Sequence, residues 1–303
     1  MASQPELVAN YRCQTGENPL WHPMEQRLYW TDIPGGRMFR YDPASSSHEQ
    51  FYQGRTVGGF TIQQDGSLLL FMDRGTVACW RDGVLTAVIE DIPAERAFRF
   101  NDVIADPRGR VFCGIVDDNG QKGRLYRLNP DGSLSLLLEN IGCSNGMAFT
   151  ADQKQFYYTD SLAYEIYVFD YDVETGAITN QRVFARFSEK DGMPDGATLD
   201  AQGRLWSALW DGFAVVRLQE DGSVAERIEL PTGKVSSVTF GGADLKDMYI
   251  TTAGGQAAPE GDATAGALFR VRMGVPGVPE FFSRIQLPVR ALTDSLQGVE
   301  RAG

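Results

Sequence analysis

Histidine is nearly absent from this chain of 303 residues: His22 and His48 are the only two, which rules out a metal centre assembled from several imidazoles. Cysteine is scarce as well. Cys13, Cys79, Cys113 and Cys143 stand far apart with no C-x-x-C pair. They read as reduced, mostly buried small hydrophobes of a cytoplasmic protein rather than a disulfide framework. No apolar run approaches the ~20 residues of a membrane span, and Met1–Glu6 lacks the basic and apolar regions of a secretion signal. Positive charge is short too. With 28 Lys and Arg against 40 Asp and Glu, the net charge is −12, which argues against nucleic acid and an anionic membrane surface as partners. Helical periodicity is rare, and Pro/Ser linkers, low-complexity tracts and like-charge blocks are missing, so residues 1–303 are expected to form one domain.

What the chain does have is short apolar runs rich in Leu, Val, Phe, Tyr and Trp, separated by Gly, Asp and Pro turns. A turn-then-strand signature occurs six times, for example Arg108-Gly109-Arg110-Val111-Phe112-Cys113 and Gln202-Gly203-Arg204-Leu205-Trp206-Ser207. Anchored on Gln26, Gly66, Gly109, Lys154, Gly203 and Lys246, the copies are spaced by 40, 43, 45, 49 and 43 residues. A second hairpin follows in most copies, with turns at Asp82-Gly83, Asp131-Gly132, Thr175-Gly176 and Asp221-Gly222. A period of about 40–50 residues with four strands is that of a propeller blade. The fold expected is therefore all-β, a six-bladed β-propeller. A β-sandwich would not produce so regular a repeat. Glu6–Tyr11 precedes the first full copy and is expected to close the ring as the outer strand of the last blade, covering an open edge.

Upstream of each anchor the same phase of the repeat carries Gly16-Glu17-Asn18-Pro19, Val57-Gly58-Gly59, Arg99-Phe100-Asn101-Asp102, Cys143-Ser144-Asn145-Gly146, Pro194-Asp195-Gly196 and Ser236-Ser237. Residues entering the innermost strands of a propeller converge at one mouth of its channel. Taken singly, Asn145-Gly146 and Pro194-Asp195-Gly196 are ordinary turn sequences, and Glu17 and Asn101 are loop caps. Taken together, two carboxylates and two carboxamides at one repeat phase supply hard oxygen donors for one divalent cation at the channel mouth: Ca²⁺, Mg²⁺ or Mn²⁺, with Zn²⁺ and Fe²⁺ as further options.

These stretches, with Leu20-Trp21, Phe156-Tyr157-Tyr158-Thr159-Asp160-Ser161 and Phe240-Gly241-Gly242, resemble the senescence-marker-protein/gluconolactonase/luciferin-regenerating-enzyme (regucalcin-like) family of sugar lactonases over nearly the whole chain. The resemblance implies a metal held by Glu17, Asn145 and Asp195, with Arg99 and Asn101 contacting substrate. In the loop after the blade-three strand, where the family carries an acidic substrate contact, this chain has Val116-Asp117-Asp118-Asn119-Gly120, which leaves Asp118 or Asn119 facing the site. The implied reaction is hydrolysis of aldonolactones to their acids, the carbonyl polarised by the metal and Asp195 drawing a proton from water as general base. The partner implied is a small-molecule lactone, the protein a monomer or weak homo-oligomer. Two alternatives stand beside this reading: a non-sugar lactone or organophosphate ester on the same site, and a calcium-binding propeller without turnover.

Three other features invite a functional reading. Gly142-Cys143-Ser144-Asn145-Gly146 matches the G-x-S-x-G nucleophile elbow, but no histidine follows residue 48 and the flanks read as strands. His22, between Trp21 and Pro23, is expected to be packed rather than catalytic, and Cys143 to pack beside the site. Trp206, Trp210 and Phe213 are expected between blades, with Trp210 or Phe213 at the pocket rim.

Overall fold

Each turn-and-strand copy closes into a four-stranded antiparallel sheet, and six such sheets stand around a central channel. The computed structural model describes residues 4–117, 122–255, 258 and 261–287. The innermost strands are Gly16–His22, Val57–Ile62, Arg99–Ala105, Ser144–Phe149, Met193–Leu199 and Val235–Gly241. Each packs against the innermost strands of its two neighbours around the ring. These strands are buried along nearly their whole length, as at Val57–Ile62 and Ser144–Phe149, whereas the outermost ones, such as Ser47–Gln53, are largely exposed. Trp206, with Phe240, Ile250 and Phe269, fills the space between blades five and six, and comparable apolar clusters separate the other blades.

The six-bladed reading holds, and the ring closes as expected. Glu6–Asn10 pairs antiparallel with Ala267–Arg272 as the outer strand of blade six, with Leu7 opposite Phe269 and Asn10 opposite Ala267. Tyr11, next along the chain, stacks on Phe39 of blade one with ring centroids 4.2 Å apart. One short segment thus joins the last blade to the first. The chain after blade six adds something the repeat pattern does not announce. Residues 274–287 run across the rear of the ring, at the turns between first and second strands. Gly277 bridges Asp200, Ser283 bridges Gln63, and Arg284 donates its backbone N–H to Gly109 O at 2.8 Å. Val278, Phe281, Phe282 and Ile285 seat against four different inter-blade clusters. The rear mouth is strapped over, and the opposite mouth carries the candidate site.

Deleting residues 1–10 removes four cross-strand pairs and the buried Ala9. At about 1 kcal/mol per hydrogen bond this should cost on the order of 3 kcal/mol. The expected result is a lower Tm by scanning calorimetry and concentration-dependent association through the uncovered edge of Ala267–Arg272. A variant that melts like the full chain and stays dispersed contradicts this account of closure.

Candidate functional site

All six innermost strands slip register at the same height. The shifts fall at Glu17/Leu20, Val57/Gly59, Phe100/Val103, Asn145/Met147, Pro194/Ala197 and Val235/Ser237. A bulge leaves a residue out of the ladder and re-aims its side chain, and it tolerates proline, which has no N–H to give. Pro19 sits in one of these bulges and Pro194 borders another. Asn145-Gly146 and Pro194-Asp195-Gly196 are therefore not hairpin turns but bulged strand segments lining the channel mouth. Close approach makes the glycines necessary. A Cβ on Gly196 would lie 2.0 Å from Ser237 Oγ, and one on Gly146 2.4 Å from Asp195 O.

The bulges bring Glu17, Asn101, Asn145 and Asp195 together in a buried group; Asp195 is only 4% exposed and Glu17 6%. A chain of hydrogen bonds fixes the carboxamides. Arg99 Nη1 donates to Asn101 Oδ1 at 2.6 Å, Asn101 Nδ2 to Asn145 Oδ1 at 2.7 Å, and Asn145 Nδ2 to Ser161 Oγ at 2.9 Å. Asn101 Nδ2 also reaches Ser144 O at 2.9 Å. Glu17 Oε2 accepts from the Asn18 backbone N–H at 2.8 Å. Asp195 Oδ1 is buried with no hydrogen-bond partner among the described residues.

Two buried carboxylates so arranged are electrostatically unfavourable. Burial, then the charges of Asp195 and Asp102, push the Glu17 carboxyl well above the usual range. Burial, then Asp102, does the same to Asp195, and Arg99 pulls back on both. Behind them the channel holds a polar cavity of about 40 Å³ lined by Asn18, Thr61, Asp102, Thr239 and Glu280 of the rear strap. Burial lifts the Asp102 carboxyl to about 7, and burial with Asp102 lifts Glu280 to about 7.

Asp118 and Asn119 lie outside the described residues. Sequence reasoning passed over Asp102, Asn18 and Ser161. Asp102 and Asn18 were legible as neighbours of Asn101 and Glu17, but Ser161 reaches the site only across the sheet. Cys143 sits beside the group, its Sγ 3.5 Å from Asn145 Nδ2. Burial and the Asp195 charge raise its thiol, which makes it a neutral packing group and not a thiolate nucleophile. His22 is buried at the far end of its strand, where Gly66 O lies 3.1 Å from Nε2 and the Glu25 backbone N–H donates to Nδ1 at 3.3 Å. Of the three aromatics expected between blades, Trp206 is buried, Trp210 half-buried, and Phe213 51% exposed. Phe213 is no core residue because it occupies the tip of a hairpin at the site's mouth.

The raised carboxyls give a sign for stability. A folded-state pKa above the unfolded one stabilises the fold at low pH, and that contribution is lost as pH rises past the ordinary carboxylate range and through the folded value. In chelator-treated protein, Asp195→Asn removes one buried charge and is expected to raise Tm at pH 8 by about 2 °C or more, the gap closing toward about pH 4. A variant that melts below the wild type at pH 8 contradicts the assignment.

Known proteins carry the same architecture. A family described as the SMP-30/gluconolactonase/LRE-like region matches residues 15–254. The pentonolactonase XacC of Haloferax volcanii is 47% identical over 289 residues, covering 92% of this chain and 98% of the relative. Regucalcin of Gallus gallus is 32% identical over 91% of this chain and 97% of its own. Among solved structures, a luciferin-regenerating enzyme superposes with a TM-score of 0.86 at 27% identity, covering 94% of this chain and all of its own (100%). The chain belongs to the SMP-30/gluconolactonase/LRE-like family.

Proposed function

We propose that this protein is a metal-dependent lactonase that opens sugar (aldono-) lactones to the corresponding acids. The observation that carries the reading is the buried, unpartnered Oδ1 of Asp195 beside the second buried carboxylate, Glu17. An uncompensated buried carboxylate costs more than the ~1–3 kcal/mol of a neutral polar group, and this chain keeps two at one point. The name of the 47%-identical relative, a pentonolactonase, supports the substrate class.

Glu17, Asp195 and the Asn145 carboxamide oxygen are the residues that would hold a divalent cation. Among the described residues no group of three His, Cys, Asp or Glu could hold a metal ion, so in this reading the Asn145 oxygen completes the set. The donors are all oxygen, a set suited to Ca²⁺, Mg²⁺ or Mn²⁺ and open to Zn²⁺ or Fe²⁺. Such a cation supplies a Lewis acid for the lactone carbonyl and a positive charge that reverses the upward push on both carboxyls.

This chain's own residues supply orientation and proton transfer. Arg99, already donating to Asn101, turns its guanidinium fork toward the hydroxyls or carbonyl oxygen of the lactone. Asn101, anchored on Ser144 and Asn145, sets the depth at which the ring stops. Asp195 takes the proton of the attacking water on its free oxygen and returns it to the ring oxygen as the acyl C–O bond opens. Asp118 or Asn119 would add a further hydroxyl contact.

The test is acid release from glucono- and xylonolactone, corrected for spontaneous opening. Protein stripped by chelator should lose turnover and regain it with one or more of Ca²⁺, Mg²⁺, Mn²⁺, Fe²⁺ and Zn²⁺ added singly. Asp195→Asn should lose on the order of 10²–10³-fold in kcat, the scale of a missing general base. Turnover indifferent to chelator, or near wild-type in Asp195→Asn, overturns the reading.

A further inference from the structure

On the same face as the site, a cavity of about 530 Å³ lies between the mouth loops of blades five and six, lined in part by Asp211, Phe213, Thr232, Lys234 and Asp262. Its size is in the range of small-molecule sites. It flanks the side of the mouth where both carboxylates stand, since blade six lies between the blades of Asp195 and Glu17. Trp210 pairs with Met193, two residues before Asp195, and Ala253 on the cavity wall bridges Thr15, two residues before Glu17.

Three features of this cavity present chemistry to its interior, although the Phe213 backbone is itself fixed by hydrogen bonds with Gly233 O and the Leu230 N–H. Phe213 is 51% exposed and held at φ 56°, with Asp211 in the same hairpin at φ 58°. Left-handed backbone at a bulky residue carries a strain of order 1–3 kcal/mol. Among the described residues, the matching hairpins of blades one and six end on glycine, Gly36 (φ 59°) and Gly266 (φ 78°), and that of blade four on Tyr164 (φ 57°). The Phe213 ring lies over Gly233, where an added Cβ would stand 3.0 Å from its Cζ, so the ring is propped at the cavity instead of folded into the core. Finally, Lys234 is half-buried, with its Nζ 4.9 Å above the Trp210 ring and no carboxylate partner among the described residues. It precedes the blade-six bulge as Arg99 precedes that of blade three, so the two cations stand on opposite sides of the mouth.

We propose that this cavity is a glycosyl subsite: it takes a second, neutral sugar ring carried by the lactone, so that glycosylated aldonolactones are preferred substrates. The apolar face of a pyranose lies on Phe213, and its hydroxyls meet the Lys234 ammonium and the Asp211 carboxylate. Asp211 and Asp262 on the wall disfavour a ring bearing a carboxylate or phosphate. This deepens the lactonase reading and rests on it for the reaction, though not for the binding of the ring.

Two measurements separate the two ideas. In the first, kcat/KM is compared for cellobionolactone and gluconolactone. The wild type should prefer the disaccharide lactone, and Phe213→Ala and Lys234→Met should each reduce that preference ratio, by about tenfold for Phe213→Ala. In the second, cellobiose is titrated calorimetrically into the wild type and Phe213→Gly. The variant relieves the left-handed backbone, so it should melt within about 2 °C of the wild type while binding cellobiose about tenfold more weakly. If neither lactone is turned over but cellobiose binding depends on Phe213, the lactonase reading falls and the subsite stands. If gluconolactone is opened as readily as the disaccharide lactone, or cellobiose binding is absent or unmoved by Phe213→Gly, the subsite is overturned.

Discussion

The structure depends on one unfavourable interaction held in place: two buried carboxylates, Glu17 and Asp195, at the mouth of a channel, the charge of Asp195 raising the Glu17 carboxyl. Among the described residues neither has an ion-pair partner, and one oxygen of Asp195 has no hydrogen-bond partner. Like charges at close range raise each other's proton affinity and weaken the fold. A ring of six bulges forces this arrangement. The bulges free Asn101 and Asp195 from their ladders and fall directly after Glu17 and Asn145, so the site follows from the repeat and not from any one loop.

Holding such a group requires a scaffold that cannot relax outward. The first blade cannot separate from the last, because Glu6–Asn10 completes one and Tyr11 stacks on the other. The rear cannot open, because the segment after blade six crosses it and anchors in four inter-blade clusters. Buried polar links tighten the first strands from within. Thr31 Oγ1 donates to Val57 O at 3.1 Å, and Gln63 Nε2 to Ile285 O at 2.8 Å. In physical terms the propeller keeps its functional group pre-organised and strained, at a cost in stability that a bound cation would remove.

The architecture was legible because it is periodic. Spacings of 40–49 residues between Gln26, Gly66, Gly109, Lys154, Gly203 and Lys246 could arise only from a repeated unit, and ring closure followed from the leftover run before the first copy. Glu17, Asn101, Asn145 and Asp195 were found by the same periodicity, since they share a phase. What lacked a period stayed hidden. The rear strap is a single passage whose apolar residues, Val278, Phe281, Phe282 and Ile285, follow no strand period, with nothing in the repeat to register it against. Ser161 acts through a contact across strands that sequence distance does not encode. For Phe213 the sequence left two places open, between blades or at the rim, because the backbone conformation that decides between them is not written in composition.

The central claim, that the bulged carboxylates form a single cation site, is tested most directly by titrating chelator-stripped protein with Ca²⁺ and, separately, Zn²⁺ in a calorimeter. One ion per chain is expected, with binding abolished in Glu17→Gln and kept in His22→Gln, whose ring is satisfied at the other end of the strand. Binding of equal stoichiometry and affinity in Glu17→Gln, or no binding by the wild type, would contradict it.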